Sequence, residues 1–188
     1  MKERDSYRTD RLLVVDLELT CWDRPQPPRG EHPDIIEIGI VEIDNEALEI
    51  MRRERFLVRP ARSAIGEFCS GLTGITPEDV ARFGRSFPEV RNRISKVWAP
   101  LHKTWAAWGT DRRAVEEAAV FHGVESPFSD SYLDLGHLYD LLTGAPQRVG
   151  LRAAMKTLGL AVEGERHRAV DDAGDAARIY IELCRRHR

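Results

Sequence analysis

Asp16 and Glu18 lie inside an otherwise apolar run, Arg11-Leu-Leu-Val-Val-Asp-Leu-Glu-Leu-Thr20. A short run of that composition reads as a buried strand, and side chains two apart on a strand point to the same side. Two carboxylates on one buried face repel each other and lose hydration, so they call for a cation between them. A divalent ion such as Mg²⁺ or Mn²⁺ is the natural counter-charge, because hard cations prefer carboxylate oxygen. The competing reading is an exposed strand end with two solvated acids. A second pair stands in His167-Arg-Ala-Val-Asp-Asp172, at the start of a helical stretch. A loop histidine and a first-turn acid at that spacing can converge on one point, and the positive end of a helix favours the acid. Plain capping by Asp171 or Asp172, beside a loop histidine, is the alternative; Asp175 reads as a solvated helix residue. Asp111 follows Trp108-Gly109-Thr110, where a strand gives way to a helix. Functional side chains gather at such junctions, although Asp111 taken alone is most simply an N-cap.

These groups need a sheet to carry the first pair and helices to bring the rest to it. The pattern predicts a second strand over Asp34–Ile43 and a third over Glu49–Val58, making a three-strand meander with the first strand inside the sheet. Thr76-Pro77-Glu78-Asp79 reads as a capped helix start with proline at the first position. Phe87-Pro88 opens a further helix toward Trp98, Thr104–Trp108 reads as a strand, Asp111–Phe121 as a helix and Tyr132–Leu135 as a short strand. Leu151, Ala154, Met155 and Leu158 share one helical face, with Gly159 placed to end it. Ala173, Ala176, Ala177, Ile179, Tyr180 and Leu183 mark the last helix. The expected fold is α/β, a mixed sheet flanked by helices. It forms one domain over residues 11–188 behind a flexible N-terminal segment, 1–10.

Composition narrows the function. A length of 188 residues suits a single core. A net charge of −3 argues against a protein that coats nucleic acid nonspecifically, which needs a basic excess. It leaves room for an enzyme with an acidic metal site and a local basic rim. Lysine stands only at positions 2, 96, 103 and 156, so arginine dominates the bases. Arginine suits phosphate, and a coding bias explains the skew equally well. No apolar run reaches the roughly 18–20 residues of a membrane span. Residues 1–10 lack the apolar core of a secretory signal. Cys21, Cys69 and Cys184 show no CxxC spacing, and a cytoplasmic setting is the simplest expectation.

Taken together, Asp-x-Glu on the first strand, an acid at the middle junction and His-x-x-x-x-Asp near the C-terminus resemble the DEDDh exonuclease pattern. That family has the ribonuclease H-like fold and includes ribonuclease T and oligoribonuclease. The resemblance extends to the Eri-type subgroup, which trims 3′ ends of RNA. It rests on Val15–Cys21, Ile35-Ile36-Glu37-Ile38-Gly39, Phe68-Cys69, Leu72-Thr73-Gly74-Ile75-Thr76, Trp108-Gly109 and His167–Asp172. One residue, Thr110, separates Gly109 from Asp111, where Eri-like relatives usually have two.

The resemblance implies a 3′→5′ exonuclease that acts on single-stranded ends, RNA favoured, and releases 5′-mononucleotides. It implies two Mg²⁺ or Mn²⁺ ions held by Asp16, Glu18, Asp111 and Asp172, with His167 as general base. Leu19, Thr20, Trp22 and Leu72, with His167, would hold the terminal nucleotide; Leu72 reads nearly as well as a core leucine. Arg148, Arg152 and Lys156 are candidates for a phosphate rim, or for a solvated helix face. A DNA exonuclease of repair or proofreading type is the first alternative, and a binding module that has lost catalysis the second. No patch in the sequence marks an interface between copies of the chain.

Overall fold

The computed structural model describes residues 7–164 and 167–187. Three antiparallel strands come first: β1 (Arg8–Leu19), β2 (Ile35–Asp44) and β3 (Glu49–Leu57). Then follow α1 (Glu67–Thr73), α2 (Pro77–Phe83), α3 (Phe87–Trp98), β4 (Lys103–Ala107), α4 (Asp111–Phe121) and β5 (Tyr132–Asp134). The chain continues through α5 (Leu135–Thr143) and α6 (Leu151–Leu158) to α7 (Ala169–His187). The sheet order is β3-β2-β1-β4-β5, with β4 parallel to β1 and β5 parallel to β4. This is the expected mixed sheet, with the first strand inside it and the ribonuclease H-like order of elements around it. Among the described residues, no helix is long and apolar enough to cross a membrane.

Alternation along β1 divides the core into two layers. Leu13, Val15 and Leu17 pack on one face against Val90, Ile94 and Trp98 of α3 and Val115 and Ala118 of α4. Leu12 and Val14 point to the other face, against Ala173, Ala176, Ala177 and Ile181 of α7. Period-two geometry carries that second row onward to Asp16 and Glu18. The two acids therefore face the helix that follows His167, not open solvent.

Local chemistry sets the element ends. Thr76 and Asp79 form a reciprocal capping box at the start of α2, and Ser86 and Glu89 form another at α3. Gly74, Gly144 and Gly159 end α1, α5 and α6 in the left-handed conformation. Three expectations need correction. β1 starts at Arg8, so Arg8–Asp10 are part of the sheet and not of a flexible segment; residues 1–6 lie outside the described residues. Helices α1 and α5 were not anticipated, because both are short and α1 carries Gly71, a poor helix former. Thr110, not Asp111, is the N-cap of α4, and Asp111 is its first residue.

Candidate active site

Gly39 lets the site form. In β2 it pairs with Asp16, and a Cβ there would collide with the backbone of Ala169 and Val170. Only a bare backbone allows the start of α7 to lie this close to the sheet. Two places before it, Glu37 is fully buried opposite Glu18, and its carboxylate accepts the Ala169 N–H at 3.0 Å. Arg55 of β3 pairs with the other Glu37 oxygen at 3.1 Å. Burial pushes the Glu37 carboxyl up, while the Ala169 N–H, Arg55 and Arg168 oppose that rise. Glu37 and Gly39 together thus hold the first turn of α7 beside Asp16 and Glu18.

On that turn, Asp172 accepts the backbone N–H of His167 through Oδ2 at 3.2 Å. His167 has φ 60, a left-handed conformation that costs a non-glycine residue roughly 1–2 kcal/mol. The bond to Asp172 helps hold it there. Ligand atoms of Glu18, His167 and Asp172 all lie within 4.8 Å of one another. Asp16 lines the same cavity as His167 and Asp172, a space of about 330 Å³ walled also by Trp108, Gly150, Leu151 and Arg152. Asp111 is outside the 4.8 Å group but near enough to act on both strand acids.

The electrostatics are those of an acid cluster short of positive charge. Burial, then Asp111, Asp172 and Glu18, hold the Asp16 carboxyl well above its ordinary range. Glu18 is pushed up to about 8 by burial first and then by Asp172, Glu37 and Asp111. Asp111 rises to about 7, through burial and the nearby Asp134. Carboxylates and an imidazole converging on one cavity, with burial and neighbouring acids raising Asp16, Glu18 and Asp111, are a donor set that suits hard divalent cations. The residues present fit such ions.

The remaining expectations divide. Leu72 is 41% exposed, so it is not a core leucine; Phe68, one turn earlier on α1, is exposed as well. Cys69 between them lies 3.6 Å from the Leu19 carbonyl, which sets α1 beside the end of β1. Phe68 was quoted for its motif but given no role; its i, i+4 spacing to Leu72 becomes informative only once α1 is known to be a helix. Leu19 and Trp22 are partly exposed. Thr20 is corrected: it is 2% exposed, and its hydroxyl accepts the Asp34 N–H at 2.8 Å, so its side chain braces the strand end. Asp175 is also corrected, being buried and ion-paired with Arg152. Arg148 is exposed but ion-paired with Asp134 and Asp140, Arg152 is partly buried between Asp172 and Asp175, and Lys156 is exposed. Trp108, quoted only for its motif, lines the cavity and donates from Nε1 to the Val149 carbonyl at 3.2 Å.

Comparison with known proteins agrees with this geometry. A family model described as Exonuclease (RNase_T) matches residues 13–180. The probable 3′-5′ exonuclease KapD of Bacillus subtilis is 29% identical over 175 residues, covering 92% of this chain and 83% of its own. The human 3′-5′ exoribonuclease 1 is 27% identical over 191 residues; the match covers 95% of this chain and 53% of that protein, about half its length. The nuclease domain of 3′hExo, a DEDDh family member solved with rAMP, superposes with a TM-score of 0.86 at 23% identity, covering 96% and 94% of the two chains. With the family model spanning the sheet, the acids and most of α7, this chain belongs to the RNase_T exonuclease family.

Proposed function

We propose that this protein shortens single-stranded nucleic acid from the 3′ end, RNA in preference to DNA, by metal-dependent hydrolysis. The observation that carries the reading is the convergence of Glu18, His167 and Asp172 within 4.8 Å beside Asp16, where burial and neighbouring acids raise the Asp16 and Glu18 carboxyls. Two divalent ions, Mg²⁺ or Mn²⁺, would supply the positive charge that offsets the phosphate and makes water nucleophilic near neutrality. Asp16, Glu18, Asp111 and Asp172 are the proposed ligands. His167 takes the proton of the attacking water, a task suited to an imidazole, whose unperturbed pKa is about 6.5. The water oxygen bonds to phosphorus, the bond to the 3′ oxygen of the preceding nucleotide breaks, and a 5′-mononucleotide leaves.

Phe68, Leu72, Leu19 and Trp22 offer exposed or partly exposed apolar surface on α1 and at and after the end of β1, and stacking or wedging by such groups grips a terminal base without reading its identity. Thr20 acts only through its backbone position. RNA is favoured because the human relative is named an exoribonuclease and the 3′hExo nuclease domain was solved with rAMP. A DNA substrate is the second reading, supported by the likeness to Escherichia coli Exonuclease I in complex with a dT13 oligonucleotide, at a TM-score of 0.68. A cytoplasmic setting remains part of the proposal on the cysteine pattern.

The test is a gel of 5′-labelled single-stranded RNA and matched DNA with the purified protein and Mg²⁺ or Mn²⁺, beside EDTA and Asp16→Ala controls. A one-nucleotide ladder receding from the 3′ end, absent from both controls and faster on RNA, is expected. Intact substrate in every lane from a folded protein would refute the activity, and a faster DNA ladder would move the substrate to the second reading.

A further inference from the structure

Helix α6 places a charged side chain, Arg152, in the wall of the catalytic cavity. Its guanidinium bridges two acids of α7: Nη2 donates to Asp172 Oδ1 at 2.5 Å, and Nη1 to Asp175 Oδ2 at 2.6 Å. The two acids differ in accessibility. Asp172 faces the cavity, whereas the Asp175 side chain is 1% exposed, with a second partner in Arg178 at 3.4 Å. About a quarter of the Arg152 side chain, 26%, stays open. One arm of the fork is thus anchored by a buried acid, and the other holds a residue of the site. A planar guanidinium keeps its place on one arm when the other is released, which a lysine cannot do.

Both Asp172 oxygens are engaged, Oδ2 by the His167 N–H and Oδ1 by Arg152. A divalent ion that binds Asp172 competes with the Arg152 guanidinium for the negative charge of that carboxylate. We propose, building on the nuclease reading above, that Arg152 is a positioning residue that holds Asp172 in the metal-free protein. It yields that carboxylate to an incoming divalent ion and, still tethered to Asp175, turns its freed Nη2 to the substrate phosphate. Metal and nucleic-acid end then load cooperatively, because the phosphate gives the released arm a new acceptor and each ligand favours the state that the other needs.

The proposal predicts effects of opposite sign from one substitution. In calorimetric titration of the metal-free protein with Mn²⁺, Arg152→Gln should bind the ion about tenfold more tightly than wild type, since a charge-assisted competitor is gone. At saturating Mn²⁺ the same variant should show a KM for a single-stranded oligonucleotide raised severalfold, with kcat less affected. A simple clamp between α6 and α7 would not tighten metal binding. Arg152→Gln/Asp175→Asn keeps the formal charge of the site and removes the buried acid together with its partner. It should retain the tighter Mn²⁺ binding, and it serves as the test if the single variant does not fold. Unchanged or weaker Mn²⁺ affinity in Arg152→Gln, or wild-type affinity in the double variant, overturns the proposal. A wild-type protein that neither binds Mn²⁺ nor cuts would instead overturn the nuclease reading itself.

Discussion

Two clusters of buried charge sit on opposite faces of one sheet, and they behave in opposite ways. On the face that packs against α3, Glu42 of β2 receives Lys103 Nζ at 2.7 Å and Arg52 Nε at 2.7 Å, while Lys103 also donates to the Trp98 carbonyl. Burial alone would raise the Glu42 carboxyl, but these cations outweigh it and hold it below its ordinary range. On the α7 face, burial first and neighbouring acids second raise Asp16, Glu18 and Asp111, with only Arg168 opposing the rise at Glu18. The Glu42 cluster is complete as folded and stabilises the protein. The Asp16 cluster lacks such partners, and under the proposed function divalent cations would supply the missing positive charge. Cationic partners, and not burial itself, separate the acid whose carboxyl is held down from the acids whose carboxyls are raised.

The sharpest way to break this contrast is to neutralise one acid from each cluster. Asp16→Asn should cut the rate of 3′-end degradation on the order of 10³-fold. In EDTA it should be at least as stable as wild type, since a repelling charge is gone. Glu42→Ala should do the reverse, losing about 3–5 kcal/mol in urea denaturation because Lys103 is left buried and unpaired. The surviving folded fraction should keep its specific activity. An Asp16→Asn protein destabilised as much as Glu42→Ala would erase the distinction.

A smaller effect is expected where the acid cluster is assembled and not where it is charged. Gly39→Ala removes no ligand but forces the start of α7, which carries Asp172, away from β2. A displacement of about 1 Å can cost roughly 10²-fold in rate, so single-turnover degradation should fall by about that much while far-UV circular dichroism stays native. Full activity would mean that the helix start tolerates the shift.

The mildest perturbation is pH. Glu18 and Asp111 have folded-state pKa values of about 8 and about 7, above their ordinary values of 4.5 and 3.8. The folded protein therefore binds more protons than the unfolded chain between those limits, and metal-free stability should fall as pH rises from about 5 to 8. Glu42, with a lowered value, contributes stability that is lost only in acid. Thermal midpoints in EDTA across that window should decline, Glu18→Gln should flatten the decline, and saturating Mn²⁺ should remove it. A flat wild-type profile without metal would show that the acids do not share the strain described.

Much of this was legible in the chain itself. Apolar alternation marked β1 and set Asp16 and Glu18 on one face, because side-chain direction along a strand is a local property. The N-cap of α2 and the glycine end of α6 were likewise decided by neighbouring residues. Motif order then brought His167, Asp172 and Asp111 to the same site before any contact was known. The short helices α1 and α5 were not legible, since their few turns are stabilised by packing and not by propensity.

Tertiary structure alone decided what each charge is paired with. Asp175 reads as a solvated residue by composition and proves to be the buried anchor of Arg152; Thr20 reads as a substrate contact and proves to brace a loop. Gly39 carried no chemical signal, yet it sets how close α7 comes to Asp16. Residue type and spacing are written into the chain, so the identity of the chemistry could be read from it. Partner, burial and distance depend on residues far apart in sequence, and those are defined only when the sheet and α7 meet.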